Sequence, residues 1–133
     1  MILQSNRKFN ITAPVSLGEL IDKITILEIK KLHFSGRKLK NVEKELSLLK
    51  SILKDQSIEI DLNLINHLKE INKNLWRIED NIRKKESQQK FDSEFVQLAR
   101  SVYRENDKRA FIKREINKKY NSELIEEKSY NKY

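Results

Sequence analysis

The chain lacks cysteine entirely and has only two glycines and one proline among its 133 residues. Without cysteine it can form no disulfide, thiolate nucleophile or cysteine metal site, and a reducing, cytoplasmic location is expected. Glycine and proline make turns most often, so their scarcity favours long helices over a sheet. These absences predict an all-α protein.

Long apolar runs are also missing. No segment approaches the ~20 apolar residues that span a bilayer, and the N-terminal MILQSNRKFNITAPV lacks the apolar stretch of a secretory signal. His33 and His67 share no ligand spacing, and there is no glycine-rich phosphate loop. We therefore expect no membrane contact, metal or cofactor, and an enzyme is less favoured than a binding protein.

The charge balance is basic, with 28 Lys and Arg against 20 Asp and Glu. A basic chain can indicate nucleic-acid binding. Most of these cations are lysines, however, whereas arginine is the better reader of phosphates and base edges. RNA binding therefore stays an alternative. It would use a candidate basic face on the fourth predicted helix: Lys108, Lys113, Arg114, Lys118 and Lys119.

Four helices are predicted from capping residues and apolar periodicity, over about 16–33, 38–54, 61–86 and 92–120. Ser16 begins the first, with Glu19 three residues later as in a capping box. Asp61 and Asp92 cap the third and fourth. Residues 1–15 are expected to be an irregular lead-in, 16–120 a single helical domain, and 121–133 a tail that folds back on the fourth helix or docks on a partner.

Helices three and four are predicted to form a long, coiled-coil-like antiparallel hairpin, because a short turn joins them. Their apolar residues follow heptad spacing. In the register where the numbers of facing residues sum to about 180, apolar residues of one helix face apolar residues of the other. The first two helices form a second hairpin that covers one side of this seam, giving a four-helix bundle. The seam residues are Leu64, Leu68, Ile71, Leu75, Ile78 and Ile82 on helix three, with Phe95, Leu98, Val102, Ile112 and Ile116 on helix four.

Polar residues interrupt this seam at Arg109 and beside it at Asn106. One interpretation is structural, because buried polar groups penalise wrong registers. The other is a pocket for a small anion or nucleotide, with Arg109 as the clamp and aromatic walls. The candidate interior polar cluster comprises Asn72, Asp80, Arg100, Asn106, Arg109, Trp76, Tyr103, Glu19 and Asp22.

Four motifs, PVSLGELIDKITILEIK, NLWRIEDNIR, LARSVYRENDKRAFIKREIN and SELIEEKSY, resemble a bacterial and phage family of small helical proteins of unknown function. The resemblance covers nearly the whole chain after residue 12 and implies a single helical domain. It brings no activity with it, so no catalytic role is carried over. The polar and aromatic residues within these motifs include Ser16, Glu19, Asp22, Lys23, Trp76, Asp80, Arg83, Arg100, Tyr103, Asn106, Asp107 and Arg109.

The leading hypothesis is a non-enzymatic protein-interaction or adaptor module whose partner is another protein or a second copy. Leu48 and Ile52, beside the main apolar stripe of helix two, make self-association plausible. RNA binding through the basic face and small-anion or nucleotide chemistry in the polar cluster are the alternatives.

Overall fold

The fold is built from helices alone in residues 6–133, the part of the chain that the computed structural model describes. Helix α1 spans Leu17–His33, α2 Gly36–Asp55, α3 Leu62–Ser87 and α4 Ser93–Lys119. No strand occurs in this range. The predicted all-α class is confirmed, and α2 begins two residues before its expected start.

Three of the helices begin at the predicted capping residues. The side chains of Ser16, Asp61 and Asp92 accept hydrogen bonds from the amides of Glu19, Asn63 and Phe95 at 3.2, 2.9 and 3.0 Å. Such caps satisfy amides that have no partner within the helix. Helix α2 has no side-chain cap.

Three helices end with a non-glycine residue in the left-handed region: Ser57, Gln89 and Asn121 have φ of 53°, 53° and 55°. After each, an amide bonds back to a carbonyl five residues earlier, as for Lys90 N to Lys85 O at 3.0 Å. This is the Schellman pattern, in which glycine is usual. Because the chain has so few glycines, residues with side chains occupy these positions.

Helices α3 and α4 run antiparallel in the predicted register. Four contacts between these helices or their caps fix it along the hairpin, and the numbers of each pair sum to about 180. They are Asp61 with Lys119, Asn72 with Arg109, Asn74 with Glu105, and Lys85 with Asp92. The register inferred from heptad spacing is therefore confirmed.

Helix α1 is central, because it packs against α2, α3 and α4, whereas α2 approaches only α1 among the helices. One face of α1 shares a core with the α3–α4 hairpin around Ile21, Leu68 and Ile116. The next face shares a second core with α2, around Ile24 and Leu46. The broad apolar arc of α1 thus serves two interfaces.

Helix α1 covers only part of the hairpin. Its N-terminal turn lies beside Asn117 of α4, and its last residue, His33, stacks on Trp76 of α3. No hydrogen bond, ion pair or ring contact between described residues joins α1 or α2 to residues 77–106. We call residues 77–106, the turn end of the hairpin, the distal arm. No helix in residues 6–133 is long and apolar enough to cross a bilayer.

Candidate functional site

Asn72 of α3 is the centre of the interior polar cluster. Its side chain is buried, and Nδ2 donates to Asp22 Oδ1 at 2.8 Å and to Thr25 Oγ1 at 2.9 Å. Its Oδ1 accepts from Arg109 Nη1 at 3.3 Å. Thr25 in turn donates to the backbone carbonyl of Asp22 at 2.7 Å. One carboxamide therefore links α3 to both α1 and α4.

Lys113 of α4 forms a second, adjoining part of the cluster. Its buried Nζ lies 2.5 Å from Glu19 Oε2, 3.0 Å from Glu126 Oε2 and 3.9 Å from Asp22 Oδ2. Burial acts to lower the pKa of Lys113, but the hydrogen bonds to Glu19 and Glu126 and the charge of Asp22 raise it above its ordinary value. The ammonium is therefore protonated at neutral pH, so Lys113 is unsuited to act as a nucleophile or general base.

The N-terminus of α1 closes the cluster. Its first four amides all have acceptors within the chain, so this helix end offers no unused amide to an anion. Asn117, whose buried side chain supplies one acceptor, is not predicted from the sequence, because no local pattern distinguishes it from a surface asparagine. The donors and acceptors are Leu17 N to Ser122 Oγ at 3.0 Å, Gly18 N to Asn117 Oδ1 at 2.6 Å, Glu19 N to Ser16 Oγ at 3.2 Å, and Leu20 N to Ser16 O at 3.1 Å.

The structure does not bring all the predicted residues into this cluster. Asp80 and Arg100 are exposed, and Asn106 is half-buried. Trp76 stacks on His33 with ring centroids 4.7 Å apart, and Tyr103 is 40% exposed beside Tyr133. The two aromatic residues therefore contact different ring partners. Asn72, Asp22, Glu19 and Arg109 are the predicted members that the cluster joins.

The cluster's polar groups are used within the chain. No buried side-chain nitrogen or oxygen of residues 6–133 lacks a hydrogen-bond partner. The same residues contain no group of three or more His, Cys, Asp or Glu arranged to hold a metal ion. Saturated buried networks of this kind fix the relative positions of helices.

The candidate basic face is largely paired with acids of the same chain. Lys113 is buried, as described above. Lys108 contacts Glu105 at 3.0 Å, whereas Lys118 is exposed. Lys119 contacts Asp61 at 3.3 Å, and Arg114 contacts Glu127 at 3.0 Å.

The C-terminal tail, residues 121–133, has no helix and folds back along α4. Glu126 and Glu127 pair with Lys113 and Arg114, and the ring of Tyr133 lies 4.8 Å from that of Tyr103. A hydrogen bond to Asp107 raises the pKa of the Tyr133 phenol. The tail thus runs antiparallel to α4, from its C-terminal end toward its middle.

The model of a family described as a family of unknown function, DUF6165, matches residues 11–133. No curated protein and no solved structure matches the chain.

Proposed function

The chain belongs to DUF6165, a family of unknown function, and we propose a role for it from its geometry. The protein is a non-enzymatic protein-interaction module that pairs with a second copy through its distal arm. The observation that carries this proposal is the exposed apolar surface of the arm. Phe91, Val96 and Tyr103 are 57%, 49% and 40% exposed. Phe91 lies in the turn and Val96 and Tyr103 lie on α4, so exposed apolar side chains occur along the arm, and exposed apolar patches often mark a binding surface.

The interior of the arm is itself only partly shielded from water. The seam residues Ile82, Leu98 and Val102 are half-buried, in a part of the hairpin that no hydrogen bond, ion pair or ring contact among the described residues joins to α1 or α2. Val96, Ala99 and Tyr103 lie along one flank of this seam on α4. A further pair of helices placed on that flank would bury the seam and complete a four-helix arrangement.

The charges of the arm favour a protein over a nucleic acid. Residues 77–106 hold seven basic and six acidic residues, whereas the chain as a whole is +8. A nearly neutral surface has little attraction for a phosphate backbone. A surface with both signs can pair with a second copy of itself, as twofold-symmetric dimers require.

The two alternatives receive less support. RNA binding through α4 is favoured less because acidic side chains beside Lys108, Lys113, Arg114 and Lys119 reduce the net positive charge of this face. Small-anion chemistry at Arg109 would need open space beside it, and its guanidinium is half-buried against Asn72.

Size-exclusion chromatography with light scattering over a range of concentrations tests the proposal. The wild-type chain should show a concentration-dependent dimer. Val96→Glu should weaken dimerisation by about tenfold or more, because it places a charge on the contact surface. Gln97→Glu adds the same charge on the next residue, off this flank, and should leave the dimer intact.

A chain that stays monomeric at the highest soluble concentration would overturn the proposal. So would equal effects of Val96→Glu and Gln97→Glu. Circular dichroism of both variants establishes that each remains folded. A salt-sensitive complex with mixed-sequence RNA, lost in Lys118→Gln, would favour the RNA-binding alternative instead.

A further inference from the structure

The tail lies against α4 without a helix or strand of its own, as a short peptide lies on a receptor. Residues 123–133 are all exposed, so they form no core of their own. Between the tail and α4 runs an open groove of about 310 Å³. Its floor includes Ala110 and Phe111, the latter 62% exposed.

The groove and the tail are complementary in charge. Lys113 and Arg114 of α4 face Glu126 and Glu127 of the tail at 3.0 Å each. These two acids lie in the stretch ELIEEKSY, which combines apolar and acidic residues. Complementary charges of this kind select an acidic partner and fix its register.

Tyrosine residues of the tail make its contacts nearer the middle of α4. Tyr130 lines the groove, and Tyr133 rests on Tyr103. The contact therefore extends from the last turns of α4 to the edge of the distal arm.

The tail has two ion pairs with α4, of which that between Glu126 and Lys113 involves a buried cation and the other lies at the surface. Arg114 and Glu127 are both substantially exposed, and exposed ion pairs contribute little to stability. Apart from Ser122, whose Oγ accepts from the Leu17 amide, no residue of the tail is even half-buried. A segment held in this way opens readily without global unfolding.

We infer that this groove of α4 is a recognition site for acidic peptides and that residues 122–133 are its intramolecular ligand. A segment of another molecule with the same chemistry, apolar residues next to paired carboxylates and followed by a tyrosine, binds when the tail is displaced. The inference goes beyond dimerisation through the arm and does not require it.

A fluorescently labelled peptide with the sequence of residues 122–133, SELIEEKSYNKY, provides the test through fluorescence anisotropy. The tethered tail competes at a high effective concentration. The peptide should therefore bind the Glu126→Gln/Glu127→Gln chain more tightly than the wild-type chain. A peptide carrying glutamine at the two corresponding positions should bind that chain less tightly.

Substitutions in the groove locate the site. Arg114→Gln in the tail-weakened chain should lower peptide affinity roughly two- to fivefold, as expected for one exposed ion pair. Lys118→Gln removes an exposed cation of the same helix outside the groove and should have no effect. Equal affinity for wild-type and tail-weakened chains, no binding to either, or equal effects of the two substitutions would overturn the inference.

The same titration on the Val96→Glu chain keeps the two proposals apart. Unchanged peptide binding in that background shows that the groove functions without arm pairing. If the Val96→Glu chain loses the dimer but still binds the peptide, both proposals stand. If the peptide fails to bind, only the proposal of a peptide site in the groove is overturned.

Discussion

Gly18 of α1 lies directly against the main chain of Lys113 in α4. A Cβ atom at Gly18 would stand 2.9 Å from the Lys113 carbonyl carbon and closer still to its oxygen. Real Cβ atoms do not approach backbone this closely. The absence of a side chain at residue 18 therefore sets the distance at which α1 docks on the hairpin.

Gly18→Ala should consequently destabilise the protein by about 1–3 kcal/mol, the usual cost of overpacking. In a helix free of such contact the same change would stabilise by up to about 1 kcal/mol, so the sign is diagnostic. Gly36 gives the matched control, because it has φ of +61° and open space around its Cα. Asparagine tolerates positive φ, so Gly36→Asn should be more stable than Gly36→Ala. At residue 18 the order should be reversed, with Gly18→Asn less stable than Gly18→Ala. Urea denaturation of the four variants measures the order, and the same order at both sites would contradict the steric argument.

The Asn72 network gives a second prediction. Asn72→Leu should lower the free energy of unfolding by about 1–3 kcal/mol, because it removes the amide that donates to the buried Asp22 carboxylate and to Thr25. Asn66→Leu, at an exposed position of the same helix, should change it by about 0.5 kcal/mol or less. In a double-mutant cycle, Asn72→Leu and Asp22→Leu should be strongly non-additive. Simple additivity would show that the two side chains are not coupled.

The helix ends give a third prediction. Gln89 has φ of 53° at the end of α3, so Gln89→Gly should stabilise the protein by about 1 kcal/mol through relief of left-handed strain. The neighbouring Gln88 has helical angles, with φ of −90° and ψ of −4°. Gln88→Gly should therefore destabilise by up to about 1 kcal/mol. Thermal unfolding of the two single variants measures both signs, and a lower stability for Gln89→Gly would refute the strain argument.

Local patterns in the sequence were sufficient to predict the hairpin. Heptad spacing and a short turn fix the α3–α4 register, and the oxygen-bearing side chains of Ser16, Asp61 and Asp92 mark helix starts because their acceptors need only nearby amides. The expected partnership of Asn72 with Arg109 follows from the same register.

Contacts between segments far apart in the sequence could not be predicted from local patterns. Lys113 was expected on a basic surface, but Glu19, 94 residues away, and the tail residue Glu126 enclose it. Asp80 and Arg100 belong to the predicted interior cluster because the register places them within reach of each other across the hairpin, but both side chains are exposed. Helix α1 ends at His33, opposite Trp76, so positions nearer the hairpin turn remain exposed.

The capping aspartates predict the behaviour of the hairpin in acid. The pKa of Asp61 is lowered from 3.8 by the Asn63 amide and then by Lys119, and that of Asp92 by the Phe95 amide and then by Lys85. A lowered pKa in the folded state means that the stabilisation is complete above 3.8 and is lost as the pH falls through the lowered values. Wild-type stability should therefore decline steeply in that window.

Asparagine can still accept the capping hydrogen bond but does not titrate, so Asp61→Asn/Asp92→Asn should be less stable at neutral pH, through loss of the ion pairs, yet decline less steeply in acid. Asp61→Ala/Asp92→Ala removes the caps as well and should be the least stable of the three at neutral pH. Urea unfolding midpoints, monitored by circular dichroism from neutral pH to below pH 3.8, distinguish the three chains. An acid decline in the asparagine variant as steep as that of the wild type would mean that other carboxylates govern acid unfolding, since only the capping groups differ between the two chains.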